Sequence, residues 1–195
     1  MTHRQRQALA THALIVESSR SLFLECGYGA TTIDAIAARA GVAVSTIYAV
    51  FKNKRGILKA IRDAWHQESG QRDIYQAALA ESEAPLRLAL AAHATRRQWD
   101  TGAMMIAIYR GAATADAEAA AELDEALRGR RANLDRFIEQ SAPFLRSDLT
   151  LPQASAIFRA LTQAEIYQEL VGVAGWSPDE YEHWLARTLQ QQLLA

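Results

Sequence analysis

One cysteine, Cys26, stands in 195 residues, so no disulfide closes within the chain and a disulfide-stapled extracellular scaffold is excluded. A reducing, cytoplasmic setting is the expectation. Only four prolines and ten glycines interrupt the sequence, and no alternating run suggests a strand. The longest stretch without a charge, Ala40 to Phe51, is 12 residues, short of the roughly 20 that cross a bilayer. No membrane partner is expected, and the polar stretch His3-Arg4-Gln5-Arg6 reads as a short basic arm rather than a signal peptide. Neither charge sign prevails overall: 21 Lys and Arg face 22 Asp and Glu.

Patterns that carry catalysis are missing as well. There is no His-Glu-x-x-His, no glycine-rich phosphate loop and no second cysteine for a zinc site. Glu180 and His183 form a single Glu-x-x-His, the unit that helical di-iron proteins use twice. The expectation is a protein that is not an enzyme and holds no metal and no cofactor.

What is present is apolar and helix-forming. Half the residues are hydrophobic, which excludes disorder and is enough for a real core. The charges are also segregated. Through Arg55 there are seven cations and three anions, a net of +4, so the remainder carries −5. A basic head on an acidic body is the asymmetry of a chain that meets nucleic acid at one end.

Apolar spacing predicts a first helix from about Ala8 to Cys26, with Ile15, Ser19, Leu22 and Phe23 on one face and Gly27 as its stop. Thr31 and Asp34 have the spacing of a capping box for a second helix that Gly41 ends. A third, about Val44 to Val50, completes the dimensions of a helix-turn-helix, and Asn53 caps a fourth carrying Ile57, Leu58, Ile61 and Trp65. Further helices are predicted over about 86–99, 103–113, 118–140 and 153–173, and a last one opens at Ser177-Pro178-Asp179-Glu180. The count is about nine. The 153–173 helix is apolar on two faces, one through Ile157 and Leu161 and the other through Phe158, Ile166 and Leu170, so it needs two partners. The last helix carries Tyr181, Trp184, Leu185, Thr188 and Leu189 at helical spacing. That stripe either docks on a twofold copy or packs back on its own body, and the dimer interface is the expectation.

The block from Leu22 to Val42, continued by Ser45-Thr46-Ile47-Tyr48 and Phe51-Lys52-Asn53-Lys54, closely resembles the DNA-binding head of the tetracycline-repressor (TetR) family of bacterial regulators. The resemblance implies an all-α protein with a three-helix helix-turn-helix head, residues 1–53, and a C-terminal helical ligand-binding and dimerisation domain, residues 54–195. It implies a homodimer on a palindromic double-stranded operator, acting as a repressor that a small-molecule effector of unknown identity releases. Val44, Ser45, Thr46 and Tyr48 fall where the family's third helix enters the major groove, and Ile47 and Phe51 fall in the core. Thr31 and Thr32 at a helix N-terminus suit a phosphate, Lys52 and Lys54 suit phosphates beyond the third helix, and Arg4 and Arg6 suit a flanking minor groove. The chain departs from the family's usual pattern at Ala43, Val44, Ala49 and Val50. With no Arg, Lys, Asn or Gln on the third helix, sequence would be read through hydroxyls, methyl contacts and DNA shape.

Trp65, His93, Trp99, Met105, Tyr109 and Phe158 are the candidates to line an effector pocket, although any helical core uses the same residue types. The competing readings are a DNA-binding or helical interaction protein without an effector, and a helical-bundle enzyme.

Overall fold

The computed structural model describes residues 2–194. Among them are ten α-helices: α1 His3–Cys26, α2 Ile33–Ala40, α3 Val44–Phe51, α4 Lys54–Ser69, α5 Gln71–Ala80, α6 Ala84–Ala115, α7 Ala117–Gln140, α8 Leu151–Leu161, α9 Ala164–Tyr167 and α10 Pro178–Leu193. A 3₁₀ turn (Ala142–Phe144) and a π-helical turn (Gln168–Val173) accompany them. The all-α class expected from the scarcity of helix breakers is what the chain adopts. Two compact units result. One is Met1–Trp65 with Met104–Asp124, and the other is His66–Ala103 with Glu125–Ala195.

In the first unit, Ile15, Leu22 and Phe23 of α1 meet Ile36 and Ala40 of α2, Ile47 and Phe51 of α3, and Ile57, Leu58 and Ile61 of α4 in one buried cluster. Ile108 and Tyr109 of α6 complete it, and the Tyr109 hydroxyl donates to Leu58 O at 3.2 Å. Gly41 ends α2 in the left-handed region at φ 64°, where a side chain would be strained, and Val42 N–H returns to Ala37 O at 3.0 Å. This turn sets α2 and α3 at 107°, within the helix-turn-helix range. At the far end of α3, Gly56 lies so close to Phe51 that a Cβ there would sit 1.9 Å from Phe51 O. Only glycine permits that approach.

The second unit buries Leu88, Trp99, Leu134, Phe137, Ile138, Phe158, Tyr181, Leu185, Leu189 and Leu193. Phe137 stacks on Phe158 at 5.3 Å and takes Tyr75 edge-on at 5.4 Å. Arg87 is buried with them. It donates to the carbonyls of Leu79, Glu81 and Gln140 at 2.8 to 3.1 Å and lies over the Phe144 ring.

Four sequence expectations are corrected. First, α1 begins at His3, not near Ala8, because Thr2 and Gln5 form a capping box, so the basic stretch is a helical turn and not an arm. Second, the expected helices over 86–99 and 103–113 are one helix, α6. Gly102 costs only about 1 kcal/mol in a helix, and the Thr101 hydroxyl bonds back to Arg97 O. Third, the expected 153–173 helix breaks after α8 at Thr162, whose carbonyl accepts from Trp99 Nε1 at 3.1 Å and from Arg130 at 2.6 Å. A carbonyl held sideways by two side chains is unavailable to the next helical turn. Fourth, α5 follows Gly70 at φ 61° and has no counterpart among the expected helices.

Gly56→Ala should destabilise the protein by about 2–4 kcal/mol through the overlap with Phe51 O. Gly129→Ala, in α7 with nothing within 4 Å of its new methyl, should stabilise it by about 0.5–1 kcal/mol. Urea melts of the two variants check both signs.

Candidate nucleic-acid interface

α3 has two unlike faces. Ile47 and Phe51 are buried in the cluster, whereas Ser45, Tyr48, Ala49 and Val50 are exposed and Val44 and Thr46 are half-buried. Tyr48 is 52% exposed, with no partner among the described residues that fixes its hydroxyl. Tyr48 and Val50 thus leave apolar surface in water beside Ser45, on a helix whose other face is held in the three-helix core. The first turns of α1 run beside it. His3, Arg4, Gln7, Ala8 and Thr11 line a shallow open groove of about 450 Å³ whose other wall is Thr46 and Val50. Arg4 therefore reaches this surface from a helix.

The two threonines before α2 do different things. Thr32 is exposed and is the true cap of α2, accepting from Ala35 N–H at 3.1 Å. The expected capping box of Thr31 with Asp34 is not made. Thr31 is buried, with its hydroxyl donating to Gly27 O at 2.8 Å, so it holds the α1–α2 turn and is closed to a phosphate.

The two lysines also divide. Lys54 turns inward: its Nζ donates to Tyr28 O at 2.6 Å and Thr31 O at 3.0 Å, and lies 4.2 Å from the centre of the Tyr28 ring. Burial lowers its pKa, and Asp116 partly opposes that shift. The Tyr28 phenol is pushed up to about 12, chiefly by burial and then by Asp116, so the ring stays neutral beneath the cation. The reading of Lys54 as a phosphate contact is thereby corrected, because its donors are engaged inside the head. Lys52 is exposed and follows α3 at φ 67°, the only positive φ outside glycine among the described residues. Elsewhere in the unit, Arg39 forms a two-pronged pair with Glu25 at 2.6 and 2.7 Å, Arg20 pairs with Glu17, and Arg55 pairs with Glu118. Arg4, Arg6 and Lys52 are the cations of residues 2–55 that have neither a described acid partner nor, like Lys54, described carbonyl partners.

Residues 15–61 match the family model for bacterial regulatory proteins of the tetR family. The helix-turn-helix part of the chain is thus similar to the head of that family. Over 58 residues it is 41% identical to the Transposon Tn10 TetC protein of Escherichia coli, a match spanning 30% of this chain and 29% of that one. The whole fold is similar to the regulator FadR of Bacillus subtilis in complex with stearoyl-CoA (TM-score 0.67, 19% identity, 91% of this chain and 96% of that one). It is equally similar to a transcriptional regulator of Saccharomonospora viridis in complex with choline (TM-score 0.68, 20% identity, 94% and 97%). The matched segment is a helix-turn-helix head, and over the rest of the chain the likeness is one of fold. Among the described residues no single helix is long and apolar enough to cross a membrane, and the α2–α3 pair, apolar in composition, is the bent helix-turn-helix itself.

The six candidate pocket residues fall into two groups. Met105 and Tyr109 are core residues of the first unit, and Trp65 packs at the edge of that cluster. His93, Trp99 and Phe158 belong to the second unit. There Phe158 is fully buried, and the His93 Nδ1 lies 3.0 Å from both Glu182 carboxylate oxygens. Arg96 reaches the same carboxylate and Asp179, so His93 is part of a tie between α6 and α10. Arg130, which carries no sequence signal of its own, lies against Trp99, 5.2 Å from its ring centre.

The interface candidates divide too. Tyr181, Leu185 and Leu189 are wholly buried inside their own unit, so the expectation that they face a partner is corrected: their stripe packs against this chain's own core. Ile157, Leu161, Trp184 and Thr188 keep part of their surface in solvent.

Lys54→Met should cost about 1–3 kcal/mol of stability in a urea melt, since it leaves the carbonyls of Tyr28 and Thr31 without their donor. Lys52→Ala should stay within about 0.5 kcal/mol of the parent.

Proposed function

We propose that this chain is a TetR-family regulator, a cytoplasmic homodimeric repressor that sets α3 of each head into the major groove of a palindromic operator and is released by a small-molecule effector. The carrying observation is the exposed face of α3, with Ser45, Thr46, Tyr48, Val44 and Val50 on a scaffold whose core is closed behind it. Hydroxyls of Ser45 and Tyr48 reach phosphates or base edges, and the methyl groups of Thr46, Val44 and Val50 rest on thymine methyls. The Thr32 cap, Lys52 and Arg4 supply the phosphate contacts that set register. Lysine in a backbone conformation that glycine adopts without strain supports a role for the Lys52 charge.

Residues 1–53 act as the reading head in this proposal and residues 54–195 as the regulatory part. Dimerisation uses the outward side of α8 and α10, at Ile157, Leu161, Trp184 and Thr188. Similar folds hold stearoyl-CoA in one case and choline in another, which supports effector binding without fixing its chemistry. The interior of the second unit, around Trp99 and Phe158, is where we place it.

Selection from a random duplex library at near-physiological salt should enrich a palindrome, whereas absence of enrichment from folded dimer removes the proposal. On the selected site, Thr46→Ala with Tyr48→Phe should weaken binding by more than about 1 kcal/mol. Lys52→Gly should lower the salt slope by about 1 while stabilising the fold by about 1 kcal/mol. Trp184→Glu should give folded monomers by light scattering, and Leu189→Glu should unfold the chain. A dimeric Trp184→Glu would place the interface elsewhere.

A further inference from the structure

α3 carries no side chain that grips a base edge with two hydrogen bonds, since Arg, Lys, Asn and Gln are all absent from Val44–Phe51. The groove beside it holds such a side chain on another helix. Of its two walls, one is Thr46 and Val50 of α3, and the other is His3, Arg4, Gln7, Ala8 and Thr11 of α1, around a volume of about 450 Å³. Arg4, Gln7, Ala8 and Thr11 follow one another at i, i+3, i+4 and i+7, so a single face of α1 is turned to α3.

This part of α1 is fixed at both ends. At its start the Thr2 N–H donates to Gln5 Oε1 at 2.8 Å in the capping box. Further along, the His12 ring lies 4.8 Å from that of Phe51 on α3, and Ile15 enters the common core. The two glutamines of the first turns therefore divide, as the two lysines do. The Gln5 amide is used by the cap, whereas Gln7 is exposed, lines the groove and has no side-chain hydrogen bond among the described residues. No carboxylate lines the groove, and Arg4 at its edge has no acid partner among the described residues. A groove with a free cation, a free amide and no acid, continuous with the exposed face of α3, suits the polyanion that α3 itself meets.

We infer that α1 is a second sequence-reading element of the head, in which Gln7 reads an adenine in the major groove beside the bases that Thr46 and Val50 cover. The Gln7 Nε2 donates to adenine N7, and its Oε1 accepts from the N6 amino group. Arg4, one turn nearer the start of the helix, takes the adjoining phosphate. The inference rests on the operator reading proposed above and adds to it a specificity residue that lies outside α3.

Selection from a random duplex library, run in parallel on the full-length parent, Gln7→Ala and Gln7→Arg, tests it. The parent should enrich a palindrome with one A·T pair in each half-site that Gln7→Ala leaves unspecified. Gln7→Arg should move that pair to G·C, because a guanidinium matches guanine O6 and N7. In titrations on the selected duplex, replacing the pair in both half-sites should weaken the parent at least about ten-fold and Gln7→Ala by less than about two-fold. Gln7 is exposed and alanine is the best helix former, so the melting temperature of Gln7→Ala should match or exceed that of the parent. The same palindrome from all three proteins, or a Gln7→Ala affinity that falls equally on every sequence, overturns the inference and leaves the operator reading standing. No palindrome from the folded parent removes the operator reading and the inference with it.

Discussion

The DNA-binding head is organised around one ammonium group. Lys54 stands at the start of α4, yet its Nζ gathers the carbonyls of Tyr28 and Thr31 from the connection between α1 and α2. Those carbonyls point inward because Tyr28 is buried against Phe23 and Thr31 against the end of α1, so without a donor they would be stranded away from water. One cation thus joins the connection before the helix-turn-helix to the helix after it. The 107° α2–α3 corner is held between these points, and the exposed face of α3 inherits its orientation from them. Gly56, two residues and so a little over half a helical turn beyond Lys54 at about 100° per residue, lets the same junction close tightly on Phe51.

This division of labour explains what the sequence disclosed and what it withheld. The helix-turn-helix was legible because its signals are local: Gly41 at the turn, Ile36, Ala40 and Ile47 at helical spacing, and a threonine before α2. Which threonine caps was not legible, since Thr31 and Thr32 differ only in which side chain the fold turns inward. The same ambiguity holds for Lys52 and Lys54, two residues apart with the same chemistry. Patterning showed that Tyr181, Leu185 and Leu189 share a buried face, because periodicity reports burial. It does not report who does the burying, and here the chain does it itself. The joins and breaks of the later helices were hidden for a related reason. Nothing near Thr162 breaks a helix locally; the break comes from Trp99 and Arg130, distant in sequence, taking its carbonyl.

Buried polar groups are satisfied unevenly in both units. In the first, Thr31 donates to Gly27, Tyr109 to Leu58 and Lys54 to the turn, while the Tyr28 hydroxyl is buried without a hydrogen-bond partner. The satisfied donors favour a single conformation, which suits a surface that must present side chains in fixed register. In the second, Arg87 is satisfied in the same way, whereas the Arg130 Nε and the Tyr181 hydroxyl are not.

The burial of Tyr181, Leu185, Leu189 and Leu193 in α10 also bears on how the molecule is made. These four side chains help to close the second unit's core, so that unit cannot finish packing until residue 193 has left the ribosome. Before then Phe158, Tyr167 and the apolar side of α8 stand without their cover. The first unit needs nothing beyond residue 124, so the reading head is complete while the chain is still being translated. During that interval the unfinished half presents a sticky surface, and its closure is a race between the arrival of α10 and encounters with neighbouring nascent chains.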